Sequence, residues 1–261
     1  MLPEKSDRLS RTETPAPETH SNYTVSLTVH RIVTLVFLTS ALAGAQSLRD
    51  IALPRPAPEG ARIAIGFLGA LEKWDDPHRG VRKLALRLRE QGWQTESFSH
   101  RNLRAAKKAI VQALDRNGNK RIDPGEASSA RIVLFGQSMG GGAAVKLARF
   151  LKSKRVPVLL TVQVDSFGAR DGFIPDNVRS AANFYQKHWF TVRGEDHIRA
   201  SNPMSTRILG NFEYEYPLWK VNTWPESWPR RIFGGAHARM EADPVLWARI
   251  EALIQEAGET K

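Results

Sequence analysis

Ser138 lies in Gly136-Gln137-Ser138-Met139-Gly140, where the apolar run Ala130 to Phe135 ends and the stretch Gly141 to Leu151 begins. A serine hydroxyl is a poor nucleophile until a base takes its proton and the backbone presents it. Gly-x-Ser-x-Gly between a strand and a helix supplies the presentation. The turn is so tight that flanking side chains would collide, and the two glycines remove the collisions. Oγ is thrust out at the end of the sheet, and the following helix aims its positive N-terminus at the reacting centre. The rival reading is a Gly-rich turn holding an ordinary serine. The strand before and the helix after favour the elbow.

A base is needed next. The chain has seven histidines. His20 and His30 fall in the polar N-terminal region, and His78, His100, His188 and His197 flank predicted elements without a clear role. His237 lies in Phe233-Gly234-Gly235-Ala236-His237-Ala238, read here as a small-residue loop before the last helix. Asp165 ends the near-continuous apolar run Val156 to Val164. An ionised carboxylate there needs a partner, and an imidazole supplies one.

The elements that must position these groups follow from periodicity. Arg62 to Gly69 reads as a buried strand, Arg79 to Gln91 as a helix stopped by Gly92, and Trp93 to Ser99 as a strand. Leu103, Ala106, Ile110 and Leu114 mark a second helix, Arg131 to Phe135 the elbow strand, and Ala144, Leu147, Ala148 and Leu151 the helix after it. Further strands are expected at Val156 to Val164, near Ala182 to Gln186 and near Arg207 to Tyr216. The last helix opens with Asp243 as cap and Pro244 in its first turn. Strands alternating with helices predict an α/β fold, a mostly parallel sheet with helices on both faces and ligands at the strands' carboxyl ends.

Taken together, the strand, Gly-x-Ser-x-Gly, helix, strand-end Asp165 and late His237 resemble the α/β-hydrolase superfamily, over residues 61–258. The resemblance implies a minimal form of that fold with no large cap domain. It makes Ser138 the nucleophile and His237 the general base of acyl transfer on carboxylic esters. The acid is open. Asp165 suits the lipase-like arrangement, whereas Glu195 or Asp196, in Arg193-Gly194-Glu195-Asp196-His197, suits the commoner one. The oxyanion hole would use the backbone N–H of Met139 and one from Gly69-Ala70-Leu71, at Gly69 or Ala70.

A second motif precedes the elbow strand. Asp115-Arg116-Asn117-Gly118-Asn119-Lys120-Arg121-Ile122-Asp123-Pro124-Gly125-Glu126 resembles an EF-hand calcium loop within the domain, at residues 115–126. Asp115, Asn117, Asn119, Arg121 (through its carbonyl), Asp123 (through a water) and Glu126 are the candidate Ca2+ ligands. Lys120 stands where that loop has glycine and must take a left-handed backbone. No outgoing helix is expected, and the alternative is an Asx-rich connector. A calcium ion there would be structural.

Composition bounds the rest. The 261 residues suffice for one domain with a buried core, and the absence of cysteine excludes disulfides and thiolate chemistry. Arg31, the apolar run Ile32 to Leu42 and Ala43-Gly44-Ala45 are laid out like a secretory signal peptide over residues 1–45, implying export to the periplasm or beyond. An uncleaved membrane anchor is the rival, and would be the sole source of membrane contact. Residues 46–60 read as a Pro-rich linker, with the compact domain beginning after it. The net charge of +11 belongs to the remainder, since residues 1–45 hold four basic and four acidic residues. The basic residues alternate with apolar ones at helical spacing and lack interleaved aromatics, which points away from nucleic acid. The expected partner is a small-molecule, lipid or polysaccharide ester. Phe212 to Pro229, with Tyr214, Tyr216, Trp219, Trp224 and Trp228, reads either as a hydrophobic or sugar-binding wall or as packing under a long loop.

Overall fold

The computed structural model describes residues 46, 50–70, 72–187, 194–216 and 228–259. The predicted signal segment, Leu71, Trp219, Trp224 and the side chain of Trp228 lie outside the described residues. Six strands form one parallel sheet: β1 (Arg62–Leu68), β2 (Gln94–Ser99), β3 (Arg131–Gln137), β4 (Val158–Val164), β6 (Val178–Tyr185) and β8 (Arg207–Glu213), in the order β2-β1-β3-β4-β6-β8. Two short strands, β5 (Phe173–Ile174) and β7 (Arg199–Ala200), pair separately. The helices are α1 (Gly80–Glu90), α2 (Leu103–Leu114), α3 (Pro124–Ser128), α4 (Met139–Ser153), α5 (Trp228–Ala242) and α6 (Pro244–Glu259). Among the described residues no helix is long and apolar enough to cross a membrane.

The apolar runs of β1 and β3 are continuous because both faces of the sheet are covered. Ile63, Ile65 and Phe67 face a core built with α2 and α4, including Ile110 and Leu147. Ala64 and Leu68 face the other core, with Leu84 of α1 and Ile250 of α6. Asp243 caps α6, its Oδ1 accepting from the N–H groups of Val245 and Leu246 at 2.9 and 3.3 Å.

Two expectations need correction. Residues 50–60 are no free linker: Ile51, Leu53 and Ala57 are buried in the first core. Ala57 donates its N–H to the Ala113 carbonyl at 2.8 Å, and Ala52 donates to Glu96 at 2.7 Å. The prolines rigidify the segment while the apolar residues between them bind it to the domain. His237 is not in a loop either. It lies in α5, where Gly235 (φ 38°, ψ −122°) breaks the helical path two residues earlier.

Candidate active site

Sheet order reverses at β1, which is followed in sequence by β2 on one side and flanked by β3 on the other. Loops at the carboxyl ends of strands on either side of such a point diverge and leave a crevice. Ser138 directly follows β3 at that crevice, with φ 56° and ψ −130°, a left-handed region that side chains enter at a cost of about 1–3 kcal/mol. Its N–H donates to the Val164 carbonyl at 2.8 Å, and its carbonyl accepts from Gly141 and Phe167, both at 3.0 Å. These bonds hold the strain.

The flanking glycines are explained by contact. A Cβ on Gly136 would stand 2.3 Å from the Gly140 carbonyl oxygen, and one on Gly140 would stand 2.0 Å from that of Phe67. Both obstacles are backbone, so neither can swing aside. Met139 opens α4, and its N–H is among those at a helix start that have no partner within the helix.

Asp165 directly follows β4 and is fully buried. Its Oδ2 accepts from His237 Nδ1 at 2.5 Å and from Gln186 Nε2 at 3.1 Å, and its Oδ1 accepts from the Gly194 N–H at 3.0 Å. The structure thus joins Asp165 to His237 across 72 residues. Glu195 and Asp196 are turned elsewhere, onto the wall of a neighbouring cavity. Glu195 Oε1 accepts from the His197 N–H at 3.3 Å.

His237 Nε2 lies 3.2 Å from Gln137 Nε2. With Nδ1–H given to Asp165, Nε2 is the unprotonated nitrogen and accepts from the Gln137 amide, the tautomer a base requires. Among the described residues no hydrogen bond joins Ser138 Oγ to the ring, whose Nε2 is partnered by the Gln137 amide instead. Burial pulls the pKa of His237 down. The hydrogen bond and charge of Asp165, with the charges of Glu72 and Glu241, outweigh it, and the net shift is upward from 6.5.

Gly69 departs from expectation. Its N–H donates to Glu72 Oε2 at 2.7 Å, so this donor is occupied. The loop after β1 folds a buried carboxylate back over it. Neither Glu72 nor Gln137 was singled out in the sequence. Glu72, three residues past Gly69, and Gln137, the variable position of the elbow, carried no motif signal of their own.

In the 115–126 loop Lys120 is left-handed (φ 64°), and so is Gly118 (φ 76°). The outgoing segment is a single turn, α3, where no helix was expected. Asp123 and Glu126 form a capping box at its start, which is why it forms. Glu126 Oε1 accepts from the N–H groups of Arg116 and Asn117 at 2.7 and 3.3 Å, and its Oε2 accepts from that of Asp123 at 2.9 Å. Asp123 Oδ2 accepts from the amides of Asn117 and Asn119 at 2.7 and 2.8 Å, and the Arg121 N–H goes to Asn119. Asp115 Oδ1 is buried without a partner. The donor types suit a hard cation. However, among the described residues no three His, Cys, Asp or Glu side chains are gathered to hold one.

Of the aromatic segment, Tyr214 and Tyr216 are stacked at 6.1 Å, and Tyr216 OH donates to Asp243 Oδ2 at 2.7 Å. Tyr216 is buried, so here the residues pack rather than line a cleft.

The sheet is parallel and wrapped by helices, with the elbow at its reversal point and Ser138, Asp165 and His237 following in that chain order. Comparison with known proteins adds resemblance at the level of fold. No protein-family model and no curated protein matches the chain. Among solved structures, a protein described as a hydrolase of the α/β superfamily from Xanthomonas campestris pv. campestris is 15% identical, with 76% of this chain and 99% of that one covered and a TM-score of 0.37. Human thioesterase 2 is 10% identical (76% and 97% covered, TM-score 0.41). A dienelactone hydrolase from Anabaena variabilis is 15% identical (77% and 87% covered, TM-score 0.38). Likenesses this distant assign no chemistry. The reading of the site rests on its own geometry.

Proposed function

We propose that the protein is a serine hydrolase acting on carboxylic esters. The observation that carries this is the 2.5 Å bond between His237 Nδ1 and buried Asp165, beside a strained Ser138 at the end of the neighbouring strand. In the proposed cycle the imidazole leaves the Gln137 amide for Ser138 Oγ and takes its proton as Oγ attacks the ester carbonyl. The oxyanion is received by the Met139 N–H at the positive end of α4, with the loop at Gly69 and Ala70 as the second source. The second donor needs either Ala70 or the release of Gly69 from Glu72. His237 returns the proton to the leaving alcohol, and water, activated the same way, frees the acid and restores Ser138. The test is labelling by a fluorophosphonate together with hydrolysis of p-nitrophenyl acetate. Both should vanish in Ser138→Ala, and activity that survives would end the proposal.

Export, through a signal at residues 1–45, remains part of this reading on the sequence argument alone. So does calcium at the 115–126 loop, with Asp115, Asn117, Asn119, Arg121, Asp123 and Glu126 as ligands. The two left-handed residues and the orphaned Asp115 oxygen favour it. Glu126 must exchange its three N–H partners for the ion. A rise in Tm with calcium, absent in Asp115→Ala, is the expected result, and an unchanged Tm would make the loop a self-capped connector. A non-catalytic calcium-binding module is the outcome if the ion binds while Ser138 takes no label.

A further inference from the structure

A cavity of about 610 Å³ opens beside the elbow, at the carboxyl ends of β2, β3, β4 and β6. Ser138, Asp165 and His237 are not among its lining residues; it adjoins their site through neighbours. Met139, which follows Ser138, forms part of its wall, as does Gly194, whose N–H is bonded to Asp165. His100 completes that contact, its Nδ1 lying 3.1 Å from the Gly69 carbonyl oxygen. Phe167, whose N–H is bonded to the Ser138 carbonyl, is 47% exposed and forms another side. The volume lies within the usual span for small-molecule sites.

The polar lining is of mixed sign. Asp171, Glu195 and Asp196 bring carboxylates, and Lys146 brings an ammonium on the face of α4. Asp171 also accepts from the Ser166 hydroxyl at 2.6 Å. Burial lowers the pKa of His100; the Gly69 carbonyl opposes this, while the charges of Arg101 and Lys146 add to it. The net shift is downward from 6.5, and with Nδ1–H given to the Gly69 carbonyl the other nitrogen, Nε2, is left as an acceptor.

Each simple ligand class meets an obstacle here. An apolar acyl chain would strip water from carboxylates without replacing its hydrogen bonds. An anionic ester would face three carboxylates, and a cationic one, though drawn to these, would bring its charge against the Lys146 ammonium and the positive start of α4. Hydroxyl groups meet neither problem, because each accepts from an ammonium and donates to a carboxylate or to the imidazole nitrogen. An exposed aromatic ring beside them offers a flat apolar surface for the C–H face of a sugar ring.

We propose that this cavity binds the polyhydroxylated, sugar-like alcohol portion of an O-acyl ester, placing the acyl carbonyl at Ser138. This rests on the hydrolase reading and narrows its substrate class.

Four acetyl esters with one acyl group test it: methyl 6-O-acetyl-glucopyranoside, acetylcholine, acetylsalicylate and p-nitrophenyl acetate as reference. In the wild type, kcat/KM for the glucoside ester should exceed those for the two charged esters by at least about tenfold. Phe167→Ala and Glu195→Gln should each lower the glucoside-to-reference ratio by at least about fivefold, mostly through KM. In Ser138→Ala, saturation-transfer NMR should still detect the glucoside ester, and Phe167→Ala in that background should weaken the signal. A preference for either charged ester would overturn the inference, as would a ratio that survives both substitutions. Loss of hydrolysis with retained NMR binding reports on the cavity alone, whereas hydrolysis that persists in Ser138→Ala reports on the hydrolase reading.

Discussion

Asp165→Asn tests the centre of the proposal, because the surroundings of Asp165 dictate how an amide would sit. The carboxylate is fully buried and faces three donors: Gly194 N–H at Oδ1, and Gln186 Nε2 and His237 Nδ1 at Oδ2. Asparagine offers one oxygen and one NH2 group. The Gly194 N–H is backbone and cannot reverse, so the oxygen must stay with it. The NH2 then faces His237 and Gln186. Gln186 can turn its amide over, and the imidazole can accept at Nδ1 by moving its proton to Nε2. Gln137 can follow by turning its oxygen, buried without a partner, toward that proton. The low-energy arrangement is therefore folded, with a ring that has no lone pair for Ser138. A wrong tautomer of this kind costs about 10⁴ in kcat in serine hydrolases of known mechanism, or about 5.5 kcal/mol of transition-state stabilisation. Loss of charge on the hydrogen bonds adds roughly 1.5–3 kcal/mol of destabilisation. The assay is p-nitrophenyl acetate hydrolysis at matched folded fraction, verified by thermal melting. Activity within about tenfold of wild type in a folded variant would refute the Asp165–His237 pairing as a catalytic arrangement.

Three further outcomes follow from the same geometry. Glu72→Gln removes a negative charge that raises the His237 pKa, so the acid limb of the kcat/KM profile should move to lower pH; an unmoved limb would show that Glu72 does not act on the ring in solution. The raised pKa of His237 also makes it a stabilising group below its unfolded value near 6.5, with that contribution lost as pH rises through the higher folded value. The Tm gap between wild type and His237→Ala should accordingly be wider at pH 5.5 than at pH 9 (about one unit below the ordinary value and well above it), and the opposite trend would contradict the pairing. Gly140→Ala places a methyl group 2.0 Å from the Phe67 carbonyl oxygen and should destabilise by about 1–3 kcal/mol or more in chemical denaturation, since strand β1 cannot yield without disturbing its partners on both sides.

The elements whose cause is local were legible in the chain itself. The elbow is one: its glycines are required by atoms only a few residues away, or on the adjacent strand, so its pattern announces it. The alternation of strands and helices is another, since a 3.6-residue apolar stripe and a doubly buried strand leave direct marks. The cap at Asp243 and the left-handed turn at Lys120 belong to the same group. The preference for Asp165 over Glu195 and Asp196 could be argued from its place after an apolar run, but only tertiary packing brings the imidazole to it rather than to the other two. The blocked N–H at Gly69, the amide of Gln137 on the imidazole, and the burial of residues 50–60 were likewise decided by tertiary structure. Each depends on where a side chain comes to rest among groups distant in sequence, and hydrophobic packing of the two faces fixes those positions without any local pattern to record them.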